Sequence, residues 1–301
     1  MNAFPEDGWI LPGAARLEAG EGGLSRIVVA TPRTEGQIYL HGAHIGYHRP
    51  LEGPSRAPTL FMSRSSWFEE GKPIRGGIPV VFPWFGRRAD DPTAPQHGFA
   101  RLRSWTLRSA ECRPDGTVAV VLGLESDPAT RALWPHDFAL ELRAEFGVAL
   151  SVELAVTNRG AAPFVFEEAL HTYLAVADAR RVVVEGFGGP YVDTSGGART
   201  ARKSPAGPIR LAGETDRIYS GHRARVTVRD PEGKRALVVE REGSDSAVLW
   251  NPWIAKAKAM PDFGDDEWPL MLCVEAGNVA DCAVTLAPGA THRLRTRIFA
   301  E

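Results

Sequence analysis

Hydrophobic and polar residues alternate along much of this chain with a period of two residues. In residues 138–146 (FALELRAEF) apolar side chains alternate with charged ones, and residues 151–158 (SVELAVTN) repeat the pattern. A period of two is typical of a β-strand with one buried face. Because Gly147 lies in the short connection between the two runs, we predict that they form a hairpin.

The same kind of run recurs along the rest of the chain. Nine further strand-like runs lie at residues 26–32, 37–45, 117–124, 181–187, 224–230, 236–242, 270–277, 282–289 and 292–299. Gly, Pro, Asn and Asp separate these runs, and no amphipathic helix longer than two or three turns stands out. We therefore predict an all-β fold, a large antiparallel β-sandwich.

Domain organisation follows from the even distribution of these features. We find no sequence repeat and no shift in composition, so we predict a single domain spanning residues 1–301. All-β sandwiches of this length commonly form one unit. Residues 194–208 (TSGGARTARKSPAGP) are polar, basic and rich in turn formers, which predicts a mobile surface loop inside the domain.

Composition excludes several classes of protein. The net charge of −2 gives no basic excess for binding nucleic acid, and no apolar run approaches the length of a transmembrane helix. We therefore expect neither nucleic acid nor membrane as a partner. Three cysteines without a CxxC pair predict reduced thiols, and the N-terminal residues lack signal-peptide features, so we expect a cytoplasmic protein.

One Gly- and Pro-rich segment interrupts the strand pattern with polar groups. Residues 67–105 contain Arg75, His97 and Arg101 among seven aromatic side chains, which is typical of a loop wall around a small polar ligand. Arginine can pair bidentately with phosphate or carboxylate. An equally simple interpretation makes both arginines solvated loop charges or ion-pair partners of Glu69 and Glu70.

Two further segments place a polar residue beside apolar ones. His171 lies in ALHTYL, where a histidine is commonly a structural hydrogen-bonding residue. Glu275 follows the apolar run LMLCV and precedes a Gly-Asn turn, so a carboxylate is expected at a strand end beside the interior. Burial raises the pKa of an unpartnered carboxyl group towards the range of a general base. A structural role stays open for both residues.

A metal site at the histidine cluster is not favoured. His41, His44 and His48 occur in LHGAHIGYH, but on a strand His41 and His44 would face opposite sides. No Cys or Asp cluster completes a ligand set. We therefore predict no metal site, and Arg75-Gly76-Gly77 also lacks the context of a phosphate-binding P-loop.

Six motifs in order resemble the aldose 1-epimerase superfamily, and within it the hexose-6-phosphate mutarotase branch. They are KPIRGGIPVVFPWFG, PQHGFAR, EEALHTYL, GETDRIY, VLWNPW with KAKAMPDFGDDEW, and CVEAGNV, and they cover residues from about 35 to 285. The resemblance implies a galactose mutarotase-like β-supersandwich that holds the sugar on its concave face. The 194–208 segment departs from the family pattern.

The resemblance also implies roles for individual residues. His171 is similar to the family's general acid and Glu275 to its general base. His97 resembles a second histidine that contacts the sugar, and Asp216 a ligand to sugar hydroxyls. The remaining implied ligands are Arg75 and Arg101 for the 6-phosphate, with Gln96 lining the same pocket. Trp84, Trp250 and Trp253 are candidates for stacking on the sugar, and a position in the core is equally compatible.

The implied reaction opens the hemiacetal, rotates the C1–C2 bond and closes the ring on the other face of the aldehyde. One acid and one base on opposite sides of the ring suffice, so we expect no cofactor. Donation by His171 at neutral pH requires its protonated form, for which a pKa raised by Glu275 or Glu168 would help. The expected partner is a small sugar phosphate, and nothing in the sequence sets the oligomeric state; a monomer is compatible with it.

Three alternatives stay open from the sequence. The first is a mutarotase for unphosphorylated aldoses, which would leave Arg75 and Arg101 without an anionic partner. The second is a non-catalytic sugar-phosphate sensor on the same scaffold, which the presence of both His171 and Glu275 argues against. The third is a carbohydrate lyase or hydrolase, for which no second carboxylate is convincingly placed opposite Glu275.

Overall fold

The computed structural model describes residues 10–88, 90–197, 199–203 and 207–301. Its strands are β1 (Ile10–Leu11), β2 (Ala15–Ala19), β3 (Ser25–Ala30), β4 (Thr34–Tyr39), β5 (Ile45–Pro50), β6 (Val80–Val81), β7 (Thr106–Cys112), β8 (Val118–Glu125), β9 (Phe138–Phe146), β10 (Leu150–Asn158), β11 (Phe164–Phe166), β12 (Glu168–Leu170), β13 (Tyr173–Ala175), β14 (Val183–Glu185), β15 (Pro190–Asp193), β16 (Thr200–Lys203), β17 (Thr215–Ser220), β18 (Val226–Asp230), β19 (Arg235–Glu242), β20 (Ser246–Asn251), β21 (Met271–Asn278), β22 (Val284–Leu286) and β23 (Thr291–Ala300). Two short helices, α1 (Pro128–Leu133) and α2 (Trp253–Ala259), accompany them.

The strands form two large sheets and two smaller ones. The sheet that we call the site sheet has the order β16-β15-β17-β20-β21-β12-β6, with β13 also paired to β21. The back sheet has the order β14-β18-β19-β23-β10-β9-β8-β7. Strands β1–β5 form a five-stranded sheet, and β11 pairs with β22. The predicted all-β, antiparallel sandwich is thereby confirmed.

The hairpin read from the sequence is present in the back sheet. Strands β9 and β10 pair antiparallel from Phe146↔Leu150 to Asn158↔Phe138. Their inward residues, among them Leu142 and Leu154, are fully buried in the main core. The alternation of apolar and charged residues thus reflects one face on the core and one face towards solvent.

Three predicted elements are wrong in detail. Residues 37–45 form the end of β4 and the start of β5 instead of one strand, because Gly42 and Ala43 adopt positive φ angles of 69° and 46° that turn the chain. The run 282–289 is a strand only in β22. The predicted 194–208 loop contains β16, which pairs with β15; within that segment residues 198 and 204–206 lie outside the described residues.

Strand β21 separates two apolar clusters and explains how the site is placed. Leu272 and Val274 belong to the main core that the back sheet shares. Met271 and Cys273 point the other way, into a second cluster on the opposite face of the site sheet. Since side chains alternate along a strand, Glu275 shares the face of Met271 and Cys273. A carboxylate is therefore buried on the face that carries the pocket.

The described helices are short. None of those in the described part of the chain is long and apolar enough to cross a membrane.

Candidate active site

A cavity of about 330 Å³ opens on the outer face of the site sheet. This volume is within the range of small-molecule sites. Most of the polar residues predicted from the sequence meet at its wall. The lining residues are Arg75, Phe85, Gly86, Arg87, Gln96, His97, His171, Thr194, Arg199, Asp216, Ile218, Val248, Trp250, Lys256, Met260 and Glu275.

His171 and Glu275 are neighbours on the pocket wall. His171 lies between β12 and β13, both of which pair with β21, the strand that carries Glu275. Its Nδ1 atom is 3.4 Å from Oε1 of Glu275. His171 is 6% exposed and Glu275 1% exposed. Their polar atoms therefore have the cavity and each other as their main neighbours. The structure thus brings together the two residues that the sequence separates by about a hundred positions.

Aromatic rings fix the orientation of His171. Its imidazole is stacked on Tyr173 with ring centroids 4.9 Å apart and an angle of 12° between the planes. Trp250 and His97 meet the same imidazole edge-on, at 5.8 and 5.7 Å. Contacts on both a face and the edges restrict rotation of the ring. Of the three candidate tryptophans only Trp250 lines the pocket.

His97 is presented by a tight turn. Its φ angle is 63°, and the next residue, Gly98, has a φ of 73°. A Cβ atom on Gly98 would lie 1.9 Å from the carbonyl oxygen of Phe82, so only glycine fits there. The amide of Gly86 donates to Nδ1 of His97 at 3.2 Å. The neutral imidazole therefore carries its proton on Nε2, whose neighbour is the side-chain amide of Gln96 at 3.4 Å.

Glu167 holds this turn against the site sheet. Its Oε2 accepts a hydrogen bond from the amide of Phe85 at 2.8 Å, and its Oε1 accepts one from the amide of Ala280 at 2.6 Å. Phe85 in turn packs edge-on against His97 at 4.7 Å. One carboxylate thus ties the loop that carries His97 to the segment that follows β21. No pattern in the sequence indicates this role for Glu167.

Arg75 lines the pocket and is held by two distant residues. Its Nε and Nη2 donate to Oδ2 of Asp262 at 3.1 and 2.9 Å, and its Nη1 donates to the hydroxyl of Tyr173 at 3.0 Å. Pairing with Glu69 or Glu70 is not observed, and Glu69 pairs with Lys72 instead. Arg75 is thereby fixed in one orientation on the pocket wall.

Arg101 is buried and does not line the pocket. Its Nη2 donates to the carbonyl of Gln96 at 2.7 Å, and its Nε has no hydrogen-bond partner. With 7% exposure it contributes positive charge from behind the wall. Gln96 and His97, by contrast, reach the cavity itself.

Another part of the pocket wall carries two charged residues, Asp216 and Lys256. Asp216 on β17 lines the pocket beside Lys256 of α2, whose Nζ is 3.6 Å from Oδ2 of Asp216 and 2.9 Å from Oε1 of Glu214. Asp216 is paired across the sheet with Trp250. Lys256 therefore partly balances the charge of Asp216.

Burial has the largest effect on the pKa values of Glu275 and His171. It raises the pKa of the Glu275 carboxyl well above its usual value, and the nearby charge of Asp216 adds to this. It lowers the pKa of His171 well below its usual value, and the positive charges of Arg75 and Arg101 lower it further. Within this pair the proton is therefore favoured on the carboxyl group of Glu275.

The expected rise in the pKa of His171 is wrong. Glu168, one of the two carboxylates expected to raise it, instead lies 2.9 Å from Nε2 of His292 and raises the pKa of that histidine. Glu168 also accepts from Nδ2 of Asn278 at 2.9 Å. The reason is the period of the strand, since Glu168 and His171 are an odd number of residues apart and face different sides.

Several lining residues could not be recognised from the sequence. Arg87 and Arg199 lie exposed at the mouth of the cavity, Thr194 lies beside Asp216, and Met260 follows α2. Arg87 stands within the segment 67–105 that was predicted to form a loop wall, which is the one available signal. Arg199 lies in the segment predicted to be a mobile loop.

The histidine cluster of the sequence is dispersed. His41 approaches the carbonyl oxygen of Lys72 at 2.8 Å, whereas His48 contacts Thr59 and the carbonyl of Gly147. His41 and His44 lie in a turn and not on a strand. Among the described residues, one group of potential metal ligands has its atoms close together, namely His171, Cys273 and Glu275.

Comparison with known proteins gives consistent matches along the chain. The family model for aldose 1-epimerase matches residues 25–298. A protein of Cenchrus ciliaris named "Putative glucose-6-phosphate 1-epimerase" is 34% identical over 296 residues, covering 95% of this chain and 88% of that protein. A protein of the same name from Escherichia coli is 33% identical over 279 residues, covering 93% and 91%.

The fold is also similar to that of a solved structure. The crystal structure of a protein described as a "putative mutarotase" from Salmonella typhimurium superposes with a TM-score of 0.89 at 30% identity. The alignment covers 99% of this chain and 97% of that one. This chain and the Salmonella typhimurium protein are therefore similar in length and in architecture over nearly their whole extent.

Proposed function

The chain belongs to the aldose 1-epimerase family, and on that premise we propose that it interconverts the α and β anomers of a hexose 6-phosphate. The enzyme is accordingly an isomerase, a mutarotase that acts on sugars. The observation that carries the proposal is the buried pair of His171 and Glu275, 3.4 Å apart on the wall of a sugar-sized cavity that also presents Arg75.

The spacing of the pair suits the two oxygens that exchange protons. Ring opening removes a proton from the C1 hydroxyl and delivers one to the ring oxygen, and both oxygens are bonded to C1. An acid and a base whose tips are 3.4 Å apart can reach both from one side. The expectation that acid and base flank opposite sides of the ring is therefore replaced by an adjacent pair.

We assign Glu275 as the general base and His171 as the general acid. The carboxylate of Glu275 takes the proton of the C1 hydroxyl while the imidazolium of His171 protonates the ring oxygen; ring closure after rotation about C1–C2 reverses both transfers. The charges of Arg75 and Arg101 oppose protonation of His171. A bound phosphate dianion offsets those charges, so the substrate itself favours the protonated imidazole.

The other polar residues orient the sugar. His97 donates from Nε2, since its Nδ1 is occupied by the amide of Gly86. Asp216 accepts from sugar hydroxyls, and Gln96 contacts the sugar from the mouth of the cavity. Fixed donors and acceptors of this kind hold the reacting atoms in register with the acid and the base.

The phosphate is assigned to the arginine-rich side of the pocket. Arg75 supplies the direct contact, because its side chain lines the cavity and is held in place by Asp262. Arg101 adds positive potential from behind the wall, and the exposed Arg87 and Arg199 lie at the mouth. A neutral aldose would leave these cations without an anionic partner, which favours the phosphorylated substrate.

Anomer-exchange NMR tests the proposal. With α/β-glucose 6-phosphate we expect the enzyme to accelerate exchange between the two C1 signals, and with free glucose we expect a much weaker effect. Acceleration confined to free glucose would assign the enzyme to unphosphorylated aldoses. Acceleration with neither sugar, together with binding of glucose 6-phosphate, would identify a sugar-phosphate sensor.

We also propose the cytoplasm as the site of action. The cysteines Cys112, Cys273 and Cys282 are all free in the structure, which suits a reducing compartment. Hexose phosphates are charged and do not cross membranes freely, so an enzyme that acts on them suits the same compartment. The ligand is then a small sugar phosphate.

A further inference from the structure

Three potential metal ligands of different chemistry meet beside the pocket: His171 and Glu275 line its wall, and the thiol of Cys273 is buried next to them. Nδ1 or Nε2 of His171, Sγ of Cys273 and a carboxylate oxygen of Glu275 all lie within 4.8 Å of one another, and all three residues are buried. We propose that this triad binds a thiophilic divalent cation such as Zn²⁺ and that the bound ion inhibits the enzyme.

The backbone explains why the three side chains converge. Cys273 and Glu275 are two residues apart on β21 and therefore point to the same face of the site sheet. Cys273 is paired across the sheet with Tyr173, which follows His171 by two residues. The thiol is thus fixed beside the acid–base pair by the register of β13 and β21.

Two of the candidate ligand atoms lack partners inside the protein. Nδ1 of His171 and Oε2 of Glu275 are buried and form no hydrogen bond with any described residue. Buried polar atoms are almost always hydrogen-bonded, and leaving one unpaired costs about 1–3 kcal/mol. Both residues line the cavity, so a species entering it can satisfy these atoms.

The donor set selects a particular class of ion. Zinc accepts nitrogen, thiolate sulfur and carboxylate oxygen at about 2.0–2.3 Å, which puts tetrahedral ligand atoms roughly 3.3–3.6 Å apart. The three candidate ligand atoms already lie within 4.8 Å of one another, not far from that spacing. Mg²⁺ and Ca²⁺ prefer oxygen ligands alone and are not expected to bind. The thiol proton of Cys273 leaves to the buffer, and water fills the fourth position.

The charges around the triad tolerate a cation. Arg75 is neutralised by Asp262 at 2.9 Å and so repels an incoming ion less than a free guanidinium would. Asp216 lies on the same wall and adds a negative charge close to Glu275. Arg101 lies behind the wall, and the exposed Arg87 and Arg199 lie at the mouth of the cavity.

Inhibition follows from the atoms that the ion occupies. A metal bound to His171 and Glu275 occupies the nitrogen that would carry the proton of the acid and the oxygen that would accept a proton as the base. This part of the inference rests on the proposed function, whereas metal binding itself does not. Binding and inhibition are therefore tested separately.

Cobalt substitutes for zinc and reports its ligands by absorption. Titration of the intact protein with Co²⁺ should produce a thiolate-to-cobalt band in the near ultraviolet and the visible bands of a four-coordinate ion. Cys273→Ser should abolish the near-ultraviolet band, while Cys112→Ser, which alters an exposed cysteine on the back sheet, should leave it intact. An unchanged band in Cys273→Ser, or no band in the wild type, would overturn the site.

The second arm measures anomer exchange in the presence of Zn²⁺. We expect reversible inhibition that a chelator relieves and that Mg²⁺ does not reproduce. Each variant is compared with its own rate without metal, and Cys273→Ser should need at least about tenfold more Zn²⁺ for half-inhibition than Cys112→Ser. Equal inhibition of the two variants would refute the inhibitory role. If the cobalt band forms but the wild type shows no exchange with any sugar, the metal site stands and the proposed function fails.

Discussion

The guanidinium of Arg75 donates two hydrogen bonds to a single oxygen of Asp262, at 3.1 and 2.9 Å. The two residues are 187 positions apart, and Asp262 is 3% exposed. The pair therefore joins the pocket wall to the segment after α2. Arg75 has a structural partner as well as its proposed ligand, and the two roles predict different experimental outcomes.

Arg75→Ala should lower both stability and binding. It leaves the carboxylate of Asp262 buried without a partner, which costs about 3–5 kcal/mol of unfolding free energy. The double variant Arg75→Ala/Asp262→Ala should recover much of that loss but should still bind glucose 6-phosphate weakly. Urea denaturation measures the first effect and titration calorimetry the second. A double variant that binds like the wild type would show that the phosphate does not contact Arg75.

Glu275→Gln should lower the exchange rate by a factor of about 10² to 10⁴, the usual contribution of a general base. The amide keeps the shape of the side chain in a fully buried position, so we expect binding of glucose 6-phosphate to persist. Exchange NMR and calorimetry on the same sample separate the two effects. A variant that fails to fold would instead indicate a structural role for the carboxylate.

The exchange rate should fall on acidification well above the usual pKa of a glutamate. The proposed mechanism requires the base form of Glu275, and burial with the charge of Asp216 raises the pKa of this carboxyl group above 4.5. Activity should thus be lost as the pH falls through the raised pKa of the free enzyme. A profile of kcat/KM against pH measures the acidic limb. A limb at or below pH 4.5 would be inconsistent with Glu275 as the titrating base.

Glu167→Gln should reduce exchange by about tenfold by loosening the turn that carries His97, since small misplacements of contacting groups are costly in rate. The variant keeps one acceptor oxygen and loses the other, so either Phe85 or Ala280 loses its partner. The free energy of unfolding of this variant should differ little from that of the wild type. Glu185→Gln, on β14 of the back sheet, is the matched control and should keep the wild-type rate. An equal rate in both variants would exclude a positioning role for Glu167.

The pair formed by buried Glu168 and half-buried His292 predicts a pH-dependent stability. Because Glu168 raises the pKa of His292 above 6.5, the pair stabilises the fold fully below pH 6.5 and loses this effect as the pH rises through the raised value. Tm should therefore decline on the alkaline side of pH 6.5. The double variant Glu168→Gln/His292→Gln should show a flatter profile, and an identical decline in both proteins would assign the effect to other groups.

Local patterns predicted the strands well because side-chain alternation is a local property. The runs 138–146 and 151–158 match β9 and β10 to within one residue. The exceptions are instructive. The break at Gly42 and Ala43 depends on positive φ angles that hydrophobicity does not record, and β16 depends on pairing with β15 rather than on its own composition.

The site was only partly accessible from sequence. Histidine, glutamate and arginine could be recognised as candidates, and the family resemblance added their order. Which of them meet depends on strand register, as the approach of His171 to Glu275 through the pairing of β12 and β13 with β21 illustrates. Asp262 lies in the motif KAKAMPDFGDDEW, but its pairing with Arg75 exists only in the folded chain and is not indicated by either local pattern.

The antiparallel register of the site sheet ties the wall of the pocket together. Val248 on β20 is opposite Glu275 on β21, and Trp250 is opposite Asp216 on β17. A slip of one residue between any two of these strands would turn every side chain of the slipped strand to the other face. A misregistered sheet could therefore retain its strands and yet lack the pocket. During refolding, the return of anomer exchange should report correct strand registration, and the return of circular dichroism alone should not.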